Sequence, residues 1–453
     1  MKQGWPKKTL GEVLQKTETV NPLQSPQAEF DYIDVSSVSN VTFQIEATQR
    51  LKGKAAPSRA RKLVRANDIL FATIRPTLQR IAVVPAHHDE QVCSTGYFVL
   101  RPKPEIDHRF IFYSLFTENF MGQMESLQKG ASYPAVTDGD VKAQWIPVPP
   151  LPEQQRIVGI LDEAFEGIVT AKSNAEKNLQ NVRVLFESGL NSAITGKLTQ
   201  EWRRAHLNTE SAHVHLKKEL TRRRSHWQGT GKYKEPDSPI SNKPIDIPSS
   251  WALASPEQIS AHIVDCPHST PKWAKSGVLC LRTTNFKPGF LDLESVQFVS
   301  EETYNERIMR LEPKPGDVLY SRKGGILGIA CIIQKHLKTC LGQRMMLFRL
   351  DTTMVLPEYF AGVLNSTLIL SEVKRLTGGA ASPHLNIRDI RRFPIPLPPI
   401  AEQQQIVAQL DIISAETSRL ESLYHRKLAA LDELKKSLLH QAFTGQLGAA
   451  QAA

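Results

Sequence analysis

The chain has 453 residues, 41% hydrophobic and 23% charged, which excludes a disordered segment as the main state and predicts two or more folded domains. Its net charge of +10 favours a polyanionic partner through attraction and counterion release. The cysteines Cys93, Cys266, Cys280, Cys331 and Cys340 form no Cys-x-x-Cys pair, which argues against a disulfide framework; the amino terminus lacks an apolar signal core and no run approaches the ~18 apolar residues of a membrane span, so a cytoplasmic protein is expected.

In chain order, residues 1–145 read as a mixed α/β domain. Ile69-Leu-Phe-Ala and Tyr97-Phe-Val-Leu have strand character, and Phe110 to Leu127 has helical character. A proline-stiffened stretch then opens a helical region over 146–198. Residues 199–248 are polar and basic, with nine Lys/Arg against four Asp/Glu between 201 and 235, including Arg222-Arg-Arg224, and end in a Pro/Ser-rich run. They read as a linker with some helix, in the role of a longer helix, a subunit contact, a DNA-flanking arm or a solvated face. A second α/β domain over 249–394 follows, with strands at Val318-Leu-Tyr and Met345-Met-Leu-Phe and a helix at Tyr359 to Leu376. A second helical region covers 395–447, and 448–453 is a tail.

The two halves repeat. Pro147-Val-Pro-Pro-Leu-Pro-Glu-Gln-Gln-Arg-Ile-Val-Gly-Ile-Leu-Asp162 recurs 249 residues on as Pro396-Leu-Pro-Pro-Ile-Ala-Glu-Gln-Gln-Gln-Ile-Val-Ala-Gln-Leu-Asp411. The same shift carries Thr195-Gly-Lys-Leu198 onto Thr444-Gly-Gln-Leu447, Asn67-Asp-Ile-Leu-Phe71 onto Gly316-Asp-Val-Leu-Tyr320, and Gly130, Ala131 and Pro134 onto Gly379, Ala380 and Pro383. Trp5 matches Trp251 with a slightly different shift. The period is too long for a solenoid. It predicts an internal pseudo-twofold duplication of an α/β (α+β) unit followed by a helix.

Each helix carries an apolar seam of 3.5-residue period. The first runs through Ile157, Leu161, Ala164, Ile168, Ala171, Ala175, Val182 and Leu185, and the second through Ile406, Leu410, Ile413, Leu420, Tyr424, Leu431, Leu434 and Leu438. Asn178 and Lys427 are corresponding polar seam positions, either setting register or packing on a third element. A long apolar stripe does not stay solvated alone, so the two helices are expected to form an intramolecular antiparallel coiled coil. About 40 residues at 1.5 Å rise give roughly 60 Å, more than the ~34–36 Å of one DNA turn.

Two variable α/β domains alternating with helices that open P-x-P-P-[LI]-x-E-Q-x-x-I-V and close Thr-Gly-x-Leu resemble the DNA-specificity subunits of type I restriction–modification enzymes, over nearly the whole chain except 199–248. The resemblance implies that each target-recognition domain reads half of a split DNA sequence. It implies that the helices set the gap and dock two modification subunits, which use S-adenosylmethionine to methylate adenine N6. A restriction subunit using ATP, with Mg2+, would join them. The chain itself would be non-catalytic and hold no cofactor or metal. Docking and pairing are then expected from Glu153, Gln154, Gln155, Ile157, Leu161, Asn178, Glu402, Gln403, Gln404, Ile406, Leu410 and Lys427. A related system with a fused methyltransferase/nuclease partner is not separable by sequence.

Candidate DNA contacts follow from basic, acid-free stretches. Residues 47–67 hold Arg50, Lys52, Lys54, Arg59, Arg61, Lys62 and Arg65, suited to phosphates, with Gln49 and Asn67 as candidate base readers. Cys266 to Leu291 holds Lys272, Lys275, Arg282, Thr284, Asn285 and Lys287. Arg322 and Lys323 precede Gly324-Gly325, and the matching turn holds Arg75 and Arg80. The loops Gly130–Pro134 and Gly378–Pro383 either shape a DNA-facing edge or are structural turns.

Catalytic motifs are missing. Val148-Pro-Pro-Leu and Leu397-Pro-Pro-Ile lack the Asn/Asp and the aromatic residue of an adenine methyltransferase, and Thr195-Gly-Lys-Leu lacks the Walker serine/threonine and upstream glycine. Glu372-Val-Lys374 and Asp140-Val-Lys142 are short acid-x-Lys matches without a placed nuclease aspartate, and Cys266-Pro-His268 and His213-Val-His215 lack further zinc ligands. A nuclease with its own acid cluster and a coiled-coil scaffold without DNA are the competing classes.

Overall fold

The computed structural model describes residues 5–378 and 383–447. The chain divides into two compact units, residues 1–177 with 424–453 and residues 178–423. The division passes through both long helices, Leu151–Ile194 and Ile400–Thr444. Each unit therefore has one α/β head and one stretch of each helix. The terminal tail and residues 379–382 lie outside the described residues.

In the first head, Ile69–Ala72 pairs antiparallel with Ile81–Val83 and Tyr97–Leu100. A second sheet runs in the order Gln49–Lys52, Glu29–Ile33, Val92–Ser94, Ala60–Leu63, and its Glu29–Ile33/Val92–Ser94 pair is parallel. Both expected strands are present and buried on both faces, which explains their unbroken apolar runs. The expected helix from Phe110 to Leu127 is two helices, His108–Ser114 and Glu118–Leu127. The break comes at Thr117, whose side chain accepts from the Phe120 amide and so caps a new helix.

The second head repeats this plan within its own unit. Val318–Ser321 lies between Ala330–Ile332 and Met345–Leu350, and Ser260–Asp265 adds a fourth strand on the far edge. The other sheet again contains a parallel pair, Val278–Leu281 with Thr339–Leu341, flanked by Phe298–Val299. Its fourth strand, Trp273–Ala274, pairs outside Phe298–Val299, whereas in the first head the fourth strand lies beside Val92–Ser94. The heads thus share a three-strand kernel and extend it on opposite edges. Tyr359 to Leu376 is also broken in two, Pro357–Leu364 and Thr367–Thr377.

The matched Asn67-Asp68 and Gly316-Asp317 sequences form the same turn. Asn67 and Gly316 have φ of 70° and 86°, the left-handed region that Asn and Gly tolerate best. Asp68 accepts from the Arg65 amide and from Arg101 Nε and Nη2 at 2.8–2.9 Å. Asp317 accepts from the Lys314 amide and from Arg349 Nε and Nη2 at 2.7–2.9 Å. Both carboxylates are buried. Asn67, expected as a base reader, is the corner of this turn.

Each head closes on the start of a long helix. Trp145–Pro147 pairs with Lys7–Thr9 in the first, and Ile395–Leu397 with Ala252–Ala254 in the second. The first glutamine of each Glu-Gln-Gln motif reaches back into the head. Gln154 accepts from the Asp107 amide at 2.9 Å and donates to Pro149 O at 2.8 Å. Gln403 accepts from the Leu356 amide at 2.8 Å and donates to Pro398 O and Met354 O at 2.9 Å.

Within each unit the two helices run antiparallel. In the first, Arg156 Nη2 donates to Leu447 O at 3.0 Å and Lys172 pairs with Asp432. In the second, Arg183 lies 3.6 Å from Glu421, and a Cβ on Gly189 would meet Ile413 at 3.1 Å. The facing positions differ from the 3.5-residue expectation. The less exposed positions run through Ala175, Leu179, Val182 and Phe186, and through Tyr424, Leu428, Leu431 and Lys435. Asn178 and Lys427 are exposed, and so are Leu185 at 54% and Leu434 at 47%. A helix of 3.6 residues per turn drifts off a heptad, and the extra four-residue step puts these four outside the seam. The polar residues within it are Thr417, whose hydroxyl bonds to Ile413 O, and Lys435.

The basic linker holds two helices, Gln200–Ala205 and Ala212–Ser225. Ala212 and Leu216 are buried in the core of the second head, and Arg223 binds Gln258 O at 2.8 Å and Asp351 at 3.0 Å. That part of the stretch is a packed element of the second unit.

Candidate nucleic-acid interface

Nothing in the acid-free stretch 47–67 is acidic, yet the fold lays it against acids. Arg50, on Gln49–Lys52, sits 3.1 Å from Asp31 and 3.5 Å from Glu29 on the adjacent strand. Those two carboxylates hold its guanidinium above its usual pKa, with Asp31 the larger contributor. Arg65 faces Glu18 and Glu90. Arg61 is half-buried and donates to Ala60 O at 2.8 Å. Lys62 is half-buried, with Nζ on Tyr97 O at 2.6 Å and Asp138 at 2.9 Å, so it holds the fold rather than facing a ligand. Lys52, Lys54 and Arg59 are exposed, and among the described residues they make no ion pair.

In the second head, Lys272, Lys275, Thr284 and Lys287 are exposed, with Lys287 Nζ 3.7 Å from Asp292. Asn285 is buried. Its Oδ1 accepts from the Arg282 amide at 2.9 Å and its Nδ2 donates to Asp292 O and Ser295 O at 3.0 and 2.8 Å, which uses its hydrogen-bonding capacity on a loop. Arg282 is half-buried beside it. Arg322 is buried and bidentate to Asp265 at 2.8 and 2.7 Å, with a further bond to Leu385 O. These contacts correct the expectation that Asn285 and Arg322 meet DNA, because both are spent inside the chain. Lys323 is partly exposed and bridges to His384.

Arg75 is exposed on the matching turn of the first head, its guanidinium carbon 5.1 Å from the Tyr133 ring centroid. Tyr133 is 72% exposed. Its loop is tied to the turn by Arg75 N–H donating to Pro134 O at 2.7 Å and is closed by mutual bonds between Lys129 and Ala135. Arg80 is half-buried, bound to Val38 O. Arg344, outside both basic stretches, is exposed with φ of 69°. Sequence reasoning missed Arg344 and reached Tyr133 only as a member of the Gly130–Pro134 loop, because backbone handedness and loop packing leave no compositional trace.

Of the residues expected to dock partners, Gln154, Ile157, Leu161, Glu402, Gln403 and Ile406 are buried, Glu153 and Leu410 are half-buried, and Gln155 and Gln404 are exposed. Glu402 is 1% exposed and accepts from Thr199 Oγ1, Arg203 Nη1 and Trp251 Nε1 at 2.5–2.8 Å. Among the described residues, no group of three or more His, Cys, Asp or Glu is placed to hold a metal ion, and no helix is long and apolar enough to cross a membrane.

Comparison with known proteins agrees with this geometry. The family model for the type I restriction modification DNA specificity domain matches residues 2–179 and 295–428. The specificity subunit of the type I restriction enzyme EcoKI from Escherichia coli K12 is 25% identical over 84% of this chain and 75% of its own length. The HindI specificity subunit from Haemophilus influenzae is 31% identical over 30% of each. A chain solved in work on complex assembly and conformational transition of the type I R-M system superposes with a TM-score of 0.75 at 25% identity, over 98% of both chains. The HsdS subunit from Thermoanaerobacter tengcongensis superposes with a TM-score of 0.61 at 25% identity and 98% coverage of both. With the family model covering well over half its length, the chain belongs to the DNA-specificity subunits of type I restriction–modification enzymes.

Proposed function

We propose that this subunit reads a bipartite DNA target, one half-site per head, and that its two long helices pair along their length as an antiparallel coiled coil that sets the gap between the half-sites. The observation that carries the reading is the recurrence, in both heads, of the parallel strand pair, the aspartate–arginine turn and the glutamine latch onto a long helix. Duplication of a whole reading unit is what two half-sites require.

In this reading the chain supplies no chemistry. Two modification subunits dock beside the helix starts, where Gln155 and Gln404 are exposed, and methylate adenine N6 with S-adenosylmethionine. Restriction subunits add ATP- and Mg2+-dependent translocation and cleavage. The location is cytoplasmic, with the DNA. Mapping methylated adenines in host DNA with and without the chain tests this: a split motif should vanish on deletion. Exchanging residues 1–145 for those of another family member should change one half of the motif only. Methylation indifferent to the chain, or both halves changing in the exchange, would reject the reading.

A further inference from the structure

The two heads exchange an arginine and a glycine across one edge. In the first head, the turn after Ile69–Ala72 carries Arg75 in the left-handed region, φ 49° and ψ 57°. In the second, the same position is Gly324, φ 90°. Equivalence rests on hydrogen bonds: Arg75 N–H donates to Pro134 O at 2.7 Å and Gly324 N–H to Pro383 O at 3.3 Å. The facing loop is matched in the same way, since Thr73 N–H donates to Gly96 O and Arg322 N–H to Arg344 O, both at 2.9 Å.

At that facing position the residues are reversed. The first head has Gly96, where a Cβ would meet Val35 Cγ2 at 2.7 Å, and the second has Arg344, φ 69°. Arg344 lies over the glycine turn, since a Cβ on Gly324 would meet Arg344 Nη1 at 3.2 Å. Each head therefore presents one exposed arginine at this edge, reached from opposite sides of it. In both cases a branched cationic side chain occupies a backbone conformation that a non-glycine residue adopts only at a steric cost, and such strain concentrates where a side chain must be aimed.

Resting on the half-site reading above, we infer that Arg75 and Arg344 are the base-reading contacts of the first and second heads, each presenting its guanidinium fork to the paired acceptors of a guanine in the major groove. An arginine is the side chain that matches guanine O6 and N7 bidentately. Tyr133 and the Ser132 carbonyl steer Arg75: the ring lies under its guanidinium and Ser132 O accepts from Nη2 at 3.2 Å, which takes one Nη2 proton and leaves one of the two guanidinium forks for a base. The neighbouring basic residues either stand exposed as phosphate contacts or, like Lys62 and Arg322, are bonded within the chain.

The test uses the subunit assembled with its modification partners and a duplex carrying the motif found by methylated-adenine mapping. Competitor duplexes change one base pair at a time. The wild-type complex should discriminate about 10- to 100-fold at a G·C pair in each half-site. Arg75→Gly should collapse that discrimination toward one-fold at one pair in one half, and Arg344→Gly at one pair in the other, with all remaining penalties kept. Glycine fits both left-handed positions, so the variants keep the fold, which an unchanged melting profile verifies. An unchanged penalty profile, or uniform weakening with every penalty intact, overturns the inference. A wild-type complex with no split motif to test overturns the half-site reading itself.

Discussion

Glu402, in the first turn of the second long helix, accepts the indole N–H of Trp251 at 2.8 Å, and the same carboxylate binds Arg203 and Thr199. One buried acid thus fastens the helix start, the opening of the second head and the linker after the first long helix. Removing one partner of a buried pair leaves the other charge uncompensated, at a cost of about 3–5 kcal/mol. Glu402→Ala should destabilise the second unit by that order, and proteolysis should cut residues 199–250 before the first head. Equal resistance to wild type would show that the junction is held elsewhere.

Asp68 and Asp317 should behave as twins. Asp68→Ala leaves Arg101 with Glu18 as its remaining carboxylate partner and frees the Arg65 amide, and Asp317→Ala frees Arg349 of its carboxylate and frees the Lys314 amide. Each loss is of order 3–5 kcal/mol, the Asp68 loss at the lower end of that range because Glu18 remains, and confined to its own head. Hydrogen exchange should rise around Ile69–Ala72 in the first variant and Val318–Ser321 in the second, and crossed effects would refute the assignment.

Lys435 lies in the helix seam with its ammonium 4.7, 5.3 and 5.8 Å from the ring centroids of Phe43, Phe165 and Phe116. Burial lowers its pKa, with Lys172 adding to the effect and Asp432 opposing it. Because the unfolded chain holds this proton more tightly, stability rises with pH in the interval from the lowered folded value up to the ordinary lysine value of 10.5. Lys435→Met should flatten that rise and change stability near neutrality by less than about 1.5 kcal/mol. Denaturant titrations at stepped alkaline pH measure both, and an identical slope in wild type and variant would contradict the assignment.

Lys52, Lys54 and Arg59 are exposed phosphate candidates on the first head. Binding of the assembled complex to target duplex should weaken steeply with salt, and each phosphate contact removed should reduce the log–log slope by about 0.9. Replacing all three with glutamine should lower it by up to about 2.7 while sequence preference stays as it was. Altered preference would make them base readers.

The repeat, one buried strand pair in each head and the existence of both long helices were legible because each is a local periodic pattern or a direct sequence match. Partnership was not. Arg322 and Lys62 look like free cations in sequence, since Asp265 and Asp138, which bind them, lie 57 and 76 residues away. Asn285 looks like a base reader because the carbonyls it satisfies belong to the next loop. The breaks in the short helices at Thr117 and Ser366 were hidden under continuous apolar spacing. The helix seam was legible at its ends and wrong at Asn178, Leu185, Lys427 and Leu434, where a heptad extrapolation accumulates error.

The first unit is discontinuous in sequence, residues 1–177 with 424–453, while the second is the unbroken stretch 178–423. A ribosome therefore adds every residue of the second unit before the helical stretch from Tyr424 onward that the first one packs against. During synthesis the amino-terminal head waits with Ile157 and Leu161 only partly covered, by Phe110 and Tyr113, since their partners Leu439 and Ala442 follow the whole of the second unit in the sequence. The half of the molecule that is translated first is the half completed last.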